Sequence, residues 1–365
     1  MLKQKQKQKT KLVIVGGGFA GISVAKNILK RKSSNFEITL IDKNDYHFFY
    51  PAVFSVISSS ASLEQFFSSL LIKFENIFKK GGVKILKNEV TSVSSDNNFV
   101  VLKNGSQKIE YDYLVLATGM VSQNIGLDVM NLNNVLEIKK KIKEIFNNKA
   151  KRNNLNISVV GAGITGCELV VVLNSYAKKL AKKYGHPLET INLKLYESRE
   201  KILLKHSVWL REKIQNYLEQ EGIEIELNKQ FDKNDELNTD LVVWALGAKD
   251  SNLTKDAKIN NKLQLKTAKN IFVARGHVIQ SAVHQGEHVA NSLASLINKK
   301  TPNKYKQKKD VHIIQLGGKY YADLGFVKFG GVLAKTIKQL AFLRYFTKTI
   351  SLKFALKWLK TYKSL

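Results

Sequence analysis

The apolar positions of the chain alternate between two periods, and each switch marks an element. Lys11–Val15 is a short β-branched apolar run that predicts a buried strand, and it ends in Gly16-Gly17-Gly18-Phe19-Ala20-Gly21. A helical period follows to about Leu29, then Glu37–Ile41 alternates as a strand and closes on Asp42. The same order returns further on. Asn156–Val160 predicts a strand, Gly161-Ala162-Gly163-Ile164-Thr165-Gly166 a turn, the stretch through about Lys183 a helix, and Ile191–Tyr196 a second strand closing on Glu197. Tyr113–Ala117 reads as a buried strand ending in Thr118-Gly119, and Leu241–Ala245 mirrors it, ending in Leu246-Gly247. Ile271–Ala274 predicts one more strand and Ser281–Ile297 a helix. Residues 298–309 form a Lys-rich linker, 311–329 a strand pair turned at glycine, and the chain from Leu333 on is helical.

The organising fact is a repeated strand, glycine turn, helix, strand and acid, at an interval of about 145 residues. It predicts an α/β fold with two Rossmann-like dinucleotide-binding domains, followed by an amphipathic helical segment at the C-terminus. Each glycine has a distinct task. Gly16 and Gly161 permit the tight strand-to-helix turn, Gly18 and Gly163 let a pyrophosphate approach the backbone, and Gly21 and Gly166 let helix and strand pack closely. The helix N-terminus then offers free amides to the phosphates. Asp42 and Glu197, at the strand ends, are placed to accept ribose hydroxyls, and an acid there argues for NAD over NADP. Glu197 lies farther from its glycines than the usual spacing of about 20 residues.

Composition narrows the chemistry. One cysteine, Cys167, excludes an intrachain disulfide, a redox-active cysteine pair and a Cys-rich metal site, and it suits a reducing compartment. No run of 18 apolar residues is present, so no helical bilayer span is expected, and Lys3–Lys9 reads as a solvated tail rather than a secretory signal. The net charge of +29 fits either attraction to a polyanion or a bias towards Lys, Asn and Ile in the coding sequence.

With these motifs the chain resembles the two-dinucleotide-binding flavoproteins (the pyridine nucleotide-disulfide oxidoreductase-like group), and within it the type II NADH:quinone oxidoreductases. The resemblance covers nearly the whole chain. His47-Phe48-Phe49-Tyr50-Pro51 is similar to that group's aromatic-Pro segment, Gly163-Ile164-Thr165-Gly166-Cys167-Glu168 to its second glycine motif, and 280–286 to the helix start at its quinone pocket. The resemblance implies FAD on the first unit and NAD(H) on the second. It adds Lys43, Thr118, Gly119 and Gly247 to the cofactor-binding residues, and makes Glu168, Gln280 and His284 the candidates at the reacting centre. Expected domains are a basic tail over 1–10, the FAD domain over 11–122, a linker over 123–155, the NADH domain over 156–248, the returning FAD segment over 249–310, and a C-terminal unit over 311–365. One departure stands out: Arg275-Gly276-His277 occupies the place of the Gly-Asp whose carboxylate meets the flavin ribityl chain in the group. Gly276→Asp is therefore expected to leave flavin occupancy equal or higher.

From Gly330 to Leu365 the chain has eight Lys or Arg residues and no acid. Leu352, Ala355, Leu356 and Leu359 share one helix face, with Phe354 and Trp358 at its flanks, and Leu333, Ile337, Leu340 and Ala341 repeat the pattern. Basic amphipathic helices of this kind lie in membrane interfaces. The implied partners are a quinone or another electron acceptor and an anionic membrane surface on the cytoplasmic side. No specific nucleic acid is expected, and a homodimer stays open. Two competing readings remain: a soluble NADH-dependent reductase with a ferredoxin-like or other small acceptor, and a non-catalytic relative that binds polyanions.

Overall fold

The computed structural model describes residues 9–31, 35–58, 67, 70–103, 105, 107–123, 125–147 and 154–364. Most of the expected N-terminal tail lies outside them. Thr10 already belongs to the first strand, where its N–H donates to the Asn35 carbonyl at 2.7 Å.

The first sheet is parallel, in the order β9-β4-β1-β2-β3, from β1 (Thr10–Val15), β2 (Phe36–Asp42), β3 (Val83–Lys87), β4 (Tyr113–Leu116) and the late β9 (Ile271–Val273). Its strands are apolar on both faces because both are covered. Leu12, Ile14 and Leu40 enter one core, while Val13, Val15 and Ile41 enter another. The second sheet, also parallel, runs β7-β6-β5-β8 from β5 (Leu155–Val160), β6 (Ile191–Tyr196), β7 (Glu224–Glu226) and β8 (Leu241–Trp244). Two short strands, Met120–Val121 and Lys249–Asp250, pair antiparallel where the chain leaves the first domain and returns to it.

Helix α1 (Phe19–Leu29) follows the first glycine turn, and α3 (Ile164–Tyr184) follows the second. The stretch read as a linker contains α2 (Leu132–Asn147), which buries Val135, Ile138, Ile142 and Phe146 along one stripe. Helix α4 (Ile279–Ile297) lies on α1. Gly286 makes that approach possible, since a Cβ there would stand 2.5 Å from the Ala20 carbonyl oxygen. The C-terminal unit has three antiparallel strands rather than two, β10 (His312–Leu316), β11 (Lys319–Asp323) and β12 (Lys328–Gly330), then α5 (Val332–Thr349) and α6 (Leu352–Ser364).

The C-terminal helices are joined to the first domain by an aromatic cluster. Phe49, 1 % exposed, packs against Phe342, Tyr345, Phe346 and Trp358. This corrects the placement of Trp358 at a lipid-facing flank: it is 3 % exposed and stacks on Tyr362 inside the fold. Phe354 rests on Phe346, and Ala355 is buried. The face read from the sequence is thus divided, with Ala355 turned inward and Leu352 and Leu356 outward, 54 % and 53 % exposed.

Candidate functional site

The two glycine turns have one geometry. Gly16 and Gly161 have φ of +106° and +107°, a region that disfavours a side chain. A Cβ on Gly21 would stand 1.9 Å from the Gly16 carbonyl oxygen, and one on Gly166 would stand 1.8 Å from that of Gly161. On Gly18 or Gly163, by contrast, a Cβ meets nothing within 4 Å. The second glycine of each turn therefore faces open space, and the helix beginning there has no side-chain cap on its N-terminal amides. Uncapped amides beside an open backbone suit a pyrophosphate, so both loops fit a bound dinucleotide.

The strand-end acids fit as well. Asp42 Oδ2 accepts from the Gly17 N–H at 2.7 Å, and Glu197 Oε2 accepts from the Ala162 N–H at 3.1 Å. The other oxygens accept from Asn44 N at 2.8 Å and from Arg199 N at 3.1 Å. An ionised carboxylate has about four acceptor positions, which leaves room for ribose hydroxyls. Burial raises the Asp42 pKa above the ordinary carboxylate value, against the two backbone amides that lower it. Lys43 is exposed beside Asp42.

Thr118 Oγ1 lies 2.5 Å from Ser251 Oγ, joining the outgoing crossover to the returning one. Gly119 and Gly247 have φ of +62° and +81° and turn the chain after β4 and β8. Arg275 is directed at the returning crossover. It donates to Asp250 Oδ2 at 3.1 Å and to the Thr254 carbonyl at 2.6 Å. A Cβ on Gly276 would stand 2.2 Å from Ala282 N in α4. The expectation for Gly276→Asp is therefore corrected: the new side chain would push against the first turn of α4 and disturb the site.

Glu168 is 8 % exposed. Its Oε1 accepts from Gln315 N of β10 at 2.7 Å and pairs with Lys338 Nζ of α5 at 3.4 Å. Tyr50 lies in the aromatic segment, and burial pushes its hydroxyl up to about 12, with the Thr165 side chain acting in the opposite direction. Gln280 and His284 share one face of α4, as their spacing requires. Gln280 is exposed and holds Val311 N through Oε1 at 3.2 Å. His284 lies with Glu287, His288, Lys304, Tyr305 and Lys308 along a cleft of about 610 Å³ under the 303–308 strap. Burial and then Lys308 lower its pKa.

Sequence reading missed the partners of His47. The imidazole is 1 % exposed, with Nδ1 at 3.2 Å from the Gly17 carbonyl and Nε2 at 3.0 Å from Tyr345 Oη. A histidine inside an apolar run was the only signal, and its second partner lies 298 residues away.

Residues 10–284 match the family model described as pyridine nucleotide-disulphide oxidoreductase. A type II NADH:quinone oxidoreductase of Staphylococcus aureus is 28 % identical, over 81 % of this chain and 85 % of its own length. That of Staphylococcus haemolyticus is 27 % identical, over 79 % and 83 %. The fold matches NDH2 of Plasmodium falciparum, solved in complex with NADH, with a TM-score of 0.82 at 16 % identity, covering 97 % of this chain and 98 % of that one. With two glycine turns of one geometry inside the matched residues, the chain belongs to the pyridine nucleotide-disulphide oxidoreductase family.

Proposed function

We infer that this chain is an FAD-dependent NADH dehydrogenase that passes electrons to a quinone. The observation that carries the reading is the pair of glycine turns, each open at its second glycine and each closed by a strand-end acid on the loop amide. The similarity to two staphylococcal type II NADH:quinone oxidoreductases supplies the reaction class. Bound flavin would supply the hydride acceptor and the two-electron store.

The residues of the chain hold and exclude. Gly16, Gly18, Gly21 and Asp42 hold the FAD pyrophosphate and ribose, and Gly161, Gly163, Gly166 and Glu197 hold those of NADH. Thr118, Gly119 and Gly247 shape the crossovers beside them, and Lys43 adds positive charge at the first ribose. Glu197 disfavours a 2′-phosphate by like-charge repulsion. Glu168 has a positioning role, since its Oε1 already accepts from Gln315 and Lys338 and so ties α3 to β10 and α5. Gln280, bonded to Val311 N, and His284, in the cleft beside the strap, guide the acceptor. The single cysteine, Cys167, is buried and its thiol is pushed above the usual range, so electrons do not pass through a cysteine pair.

The acceptor side lies at an anionic membrane surface, on the cytoplasmic leaflet. Val332, Leu333 and Leu340 of α5 are 80 %, 58 % and 55 % exposed, Leu352 and Leu356 of α6 are outward, and Phe326 projects at 87 % from the turn before β12. Lys335, Lys353, Lys357 and Lys360 are exposed among them. Anionic lipid attracts such lysines by about 1 kcal/mol each. Among the described residues no helix is long and apolar enough to cross a membrane, so contact is at the surface.

The test is spectroscopic. Purified protein should be yellow, lose its flavin absorbance on anaerobic NADH addition, and regain it when a quinone in lipid vesicles is supplied. A colourless protein that takes up no FAD would refute the reading. Recovery with a ferredoxin but with no quinone would move the acceptor to solution.

A further inference from the structure

We propose that His47 and Tyr345 form a positioning relay, in which helix α5 sets the backbone of the first glycine turn and thereby the affinity for FAD. The proposal rests on the assignment of FAD to that turn.

The hydrogen positions follow from the acceptors. The Gly17 carbonyl only accepts, so His47 Nδ1 must carry the hydrogen of the 3.2 Å contact. A neutral imidazole has one N–H, so Nε2 accepts and Tyr345 Oη donates across 3.0 Å. Burial holds His47 neutral, with its pKa lowered to about 4. The chain of donation therefore runs from Tyr345 in α5, through His47, to the loop carbonyl. Phe19 and Phe49 close around the ring, with centroids at 4.6 Å and 6.4 Å, so it has little room to turn away.

The consequence lies on the other side of the same peptide. In a trans peptide the C=O of Gly17 and the N–H of Gly18 point in opposite directions, and no peptide bond of the described chain is cis. Drawing the carbonyl towards His47 turns the Gly18 N–H away from it, at a residue whose Cβ position is open. The N–H of Gly17 is held meanwhile by Asp42. Both ends of Gly17 are thus fixed before any ligand arrives, and this pre-organisation lowers the ordering cost of binding.

The second glycine turn repeats the arrangement with a different donor. Ala162 is the counterpart of Gly17, and its carbonyl accepts the Leu203 backbone N–H at 2.9 Å while its own N–H is held by Glu197. Both turns therefore have this carbonyl fixed. In the NADH unit the Leu203 backbone amide does it, with the Cys167 thiol at 3.7 Å as a second, weaker donor, so the main bond does not depend on a side chain. In the FAD unit the donor is a side chain that is itself held by α5.

The experiment measures FAD rebinding to flavin-stripped full-length protein by fluorescence quenching, beside NADH affinity and thermal midpoint. His47→Phe keeps an aromatic ring and removes the donor, and it should weaken FAD roughly three- to tenfold, the worth of one hydrogen bond. His47→Asn places an amide near the Nδ1 position and should recover affinity to within about twofold of the wild type. Tyr345→Phe should weaken FAD by roughly two- to threefold, and adding it to His47→Phe should cost nothing further, because the relay is already cut. NADH affinity should be unchanged in every variant. Wild-type FAD affinity in His47→Phe, or failure of His47→Asn to rescue it, would overturn the relay. Parallel loss of FAD and NADH affinity would also overturn it, showing a general packing defect. Failure of the wild-type apoprotein to take up FAD would instead strike the flavin assignment itself.

Discussion

The three glycines of each turn should fail in different ways when replaced, and the geometry says how. Gly18 has an open Cβ position and an extended backbone, φ −77° and ψ −168°, which any residue adopts. Gly18→Val should therefore fold normally. Reduced freedom in the unfolded chain adds about 0.4–1 kcal/mol for a compatible Gly→Ala change, and a valine should lie within about 0.5 kcal/mol of the wild type. The isopropyl group would occupy the space a pyrophosphate needs, so the protein should purify colourless. Gly21→Ala has the opposite profile. Its Cβ would stand 1.9 Å from the Gly16 carbonyl oxygen, a backbone atom with no rotamer to give way. Relief requires α1 to move off the turn, at a cost of about 1–3 kcal/mol for overpacking of this kind. Gly163→Val and Gly166→Ala should repeat the pair for NADH. Apoprotein thermal midpoints, flavin absorbance per protein and NADH affinity together give a two-by-two comparison. Full flavin in Gly18→Val, or equal loss of thermal stability in Gly18→Val and Gly21→Ala, would refute the division of roles.

Glu197→Gln should narrow the preference for NADH over NADPH, which in the wild type is expected to exceed about tenfold in kcat/KM because a 2′-phosphate would meet the carboxylate; equal wild-type rates with both would remove the assignment. Leu352→Gln with Leu356→Gln should weaken binding to anionic vesicles by about tenfold or more, from about 1 kcal/mol of lost apolar burial per half-exposed leucine, and should leave the thermal midpoint unchanged; unaltered vesicle binding would place the contact elsewhere. His47 gives stability a dependence on pH. Its folded pKa is about 4 because of burial, against about 6.5 in the unfolded chain. Between these values only the unfolded chain takes up the proton, so stability is full above pH 6.5 and falls as pH drops towards 4, by about 2 kcal/mol at pH 5. Urea midpoints at pH 7 and pH 5 should show a smaller fall in His47→Asn than in the wild type, and identical falls would exclude the effect.

The dinucleotide units were legible because their chemistry is local. A strand, a turn with φ near +106° at Gly16 and a helix starting at Phe19 are settled within about a dozen neighbouring residues. The spacing of Glu197 looked irregular only when counted along the chain. In the sheets, Val15 pairs with Ile41 and Val160 with Tyr196, and the acid is the next residue in each case. The hydrogen bond from the first glycine to that paired residue is 2.8 Å in both units. The additional residues lie in the longer α3 and its exit, behind the sheet, and do not change the register that brings the carboxylate to the loop. Helix α2 was equally legible in principle, since Val135, Ile138, Ile142 and Phe146 follow a helical stripe, but that stripe is set among lysines and reads as polar on average.

The C-terminal helices were not legible in the same way, and the reason is physical. Burial of apolar surface is non-directional and rewards a protein core and a lipid interface alike. An apolar stripe therefore shows that a face is covered without showing by what. Trp358 finds Phe49 and Phe346 through the tertiary fold, and nothing near it in the sequence announces either. Helix α6 has apolar residues on two sides. Ala355, Trp358 and Tyr362 turn to the aromatic cluster, while Leu352 and Leu356 turn out with the lysines. The same division runs through α5, where Phe346 is buried and Leu333 and Leu340 are exposed. One side of the pair thus reaches the first glycine turn through Tyr345 and His47, and the other side presents apolar and basic groups to a surface. Removing the helices would uncover Phe49 as well as the outward face, so loss of membrane binding on truncation cannot be separated from loss of the core. Substitutions confined to Leu352 and Leu356 change only the outward face, and they decide whether that face meets lipid.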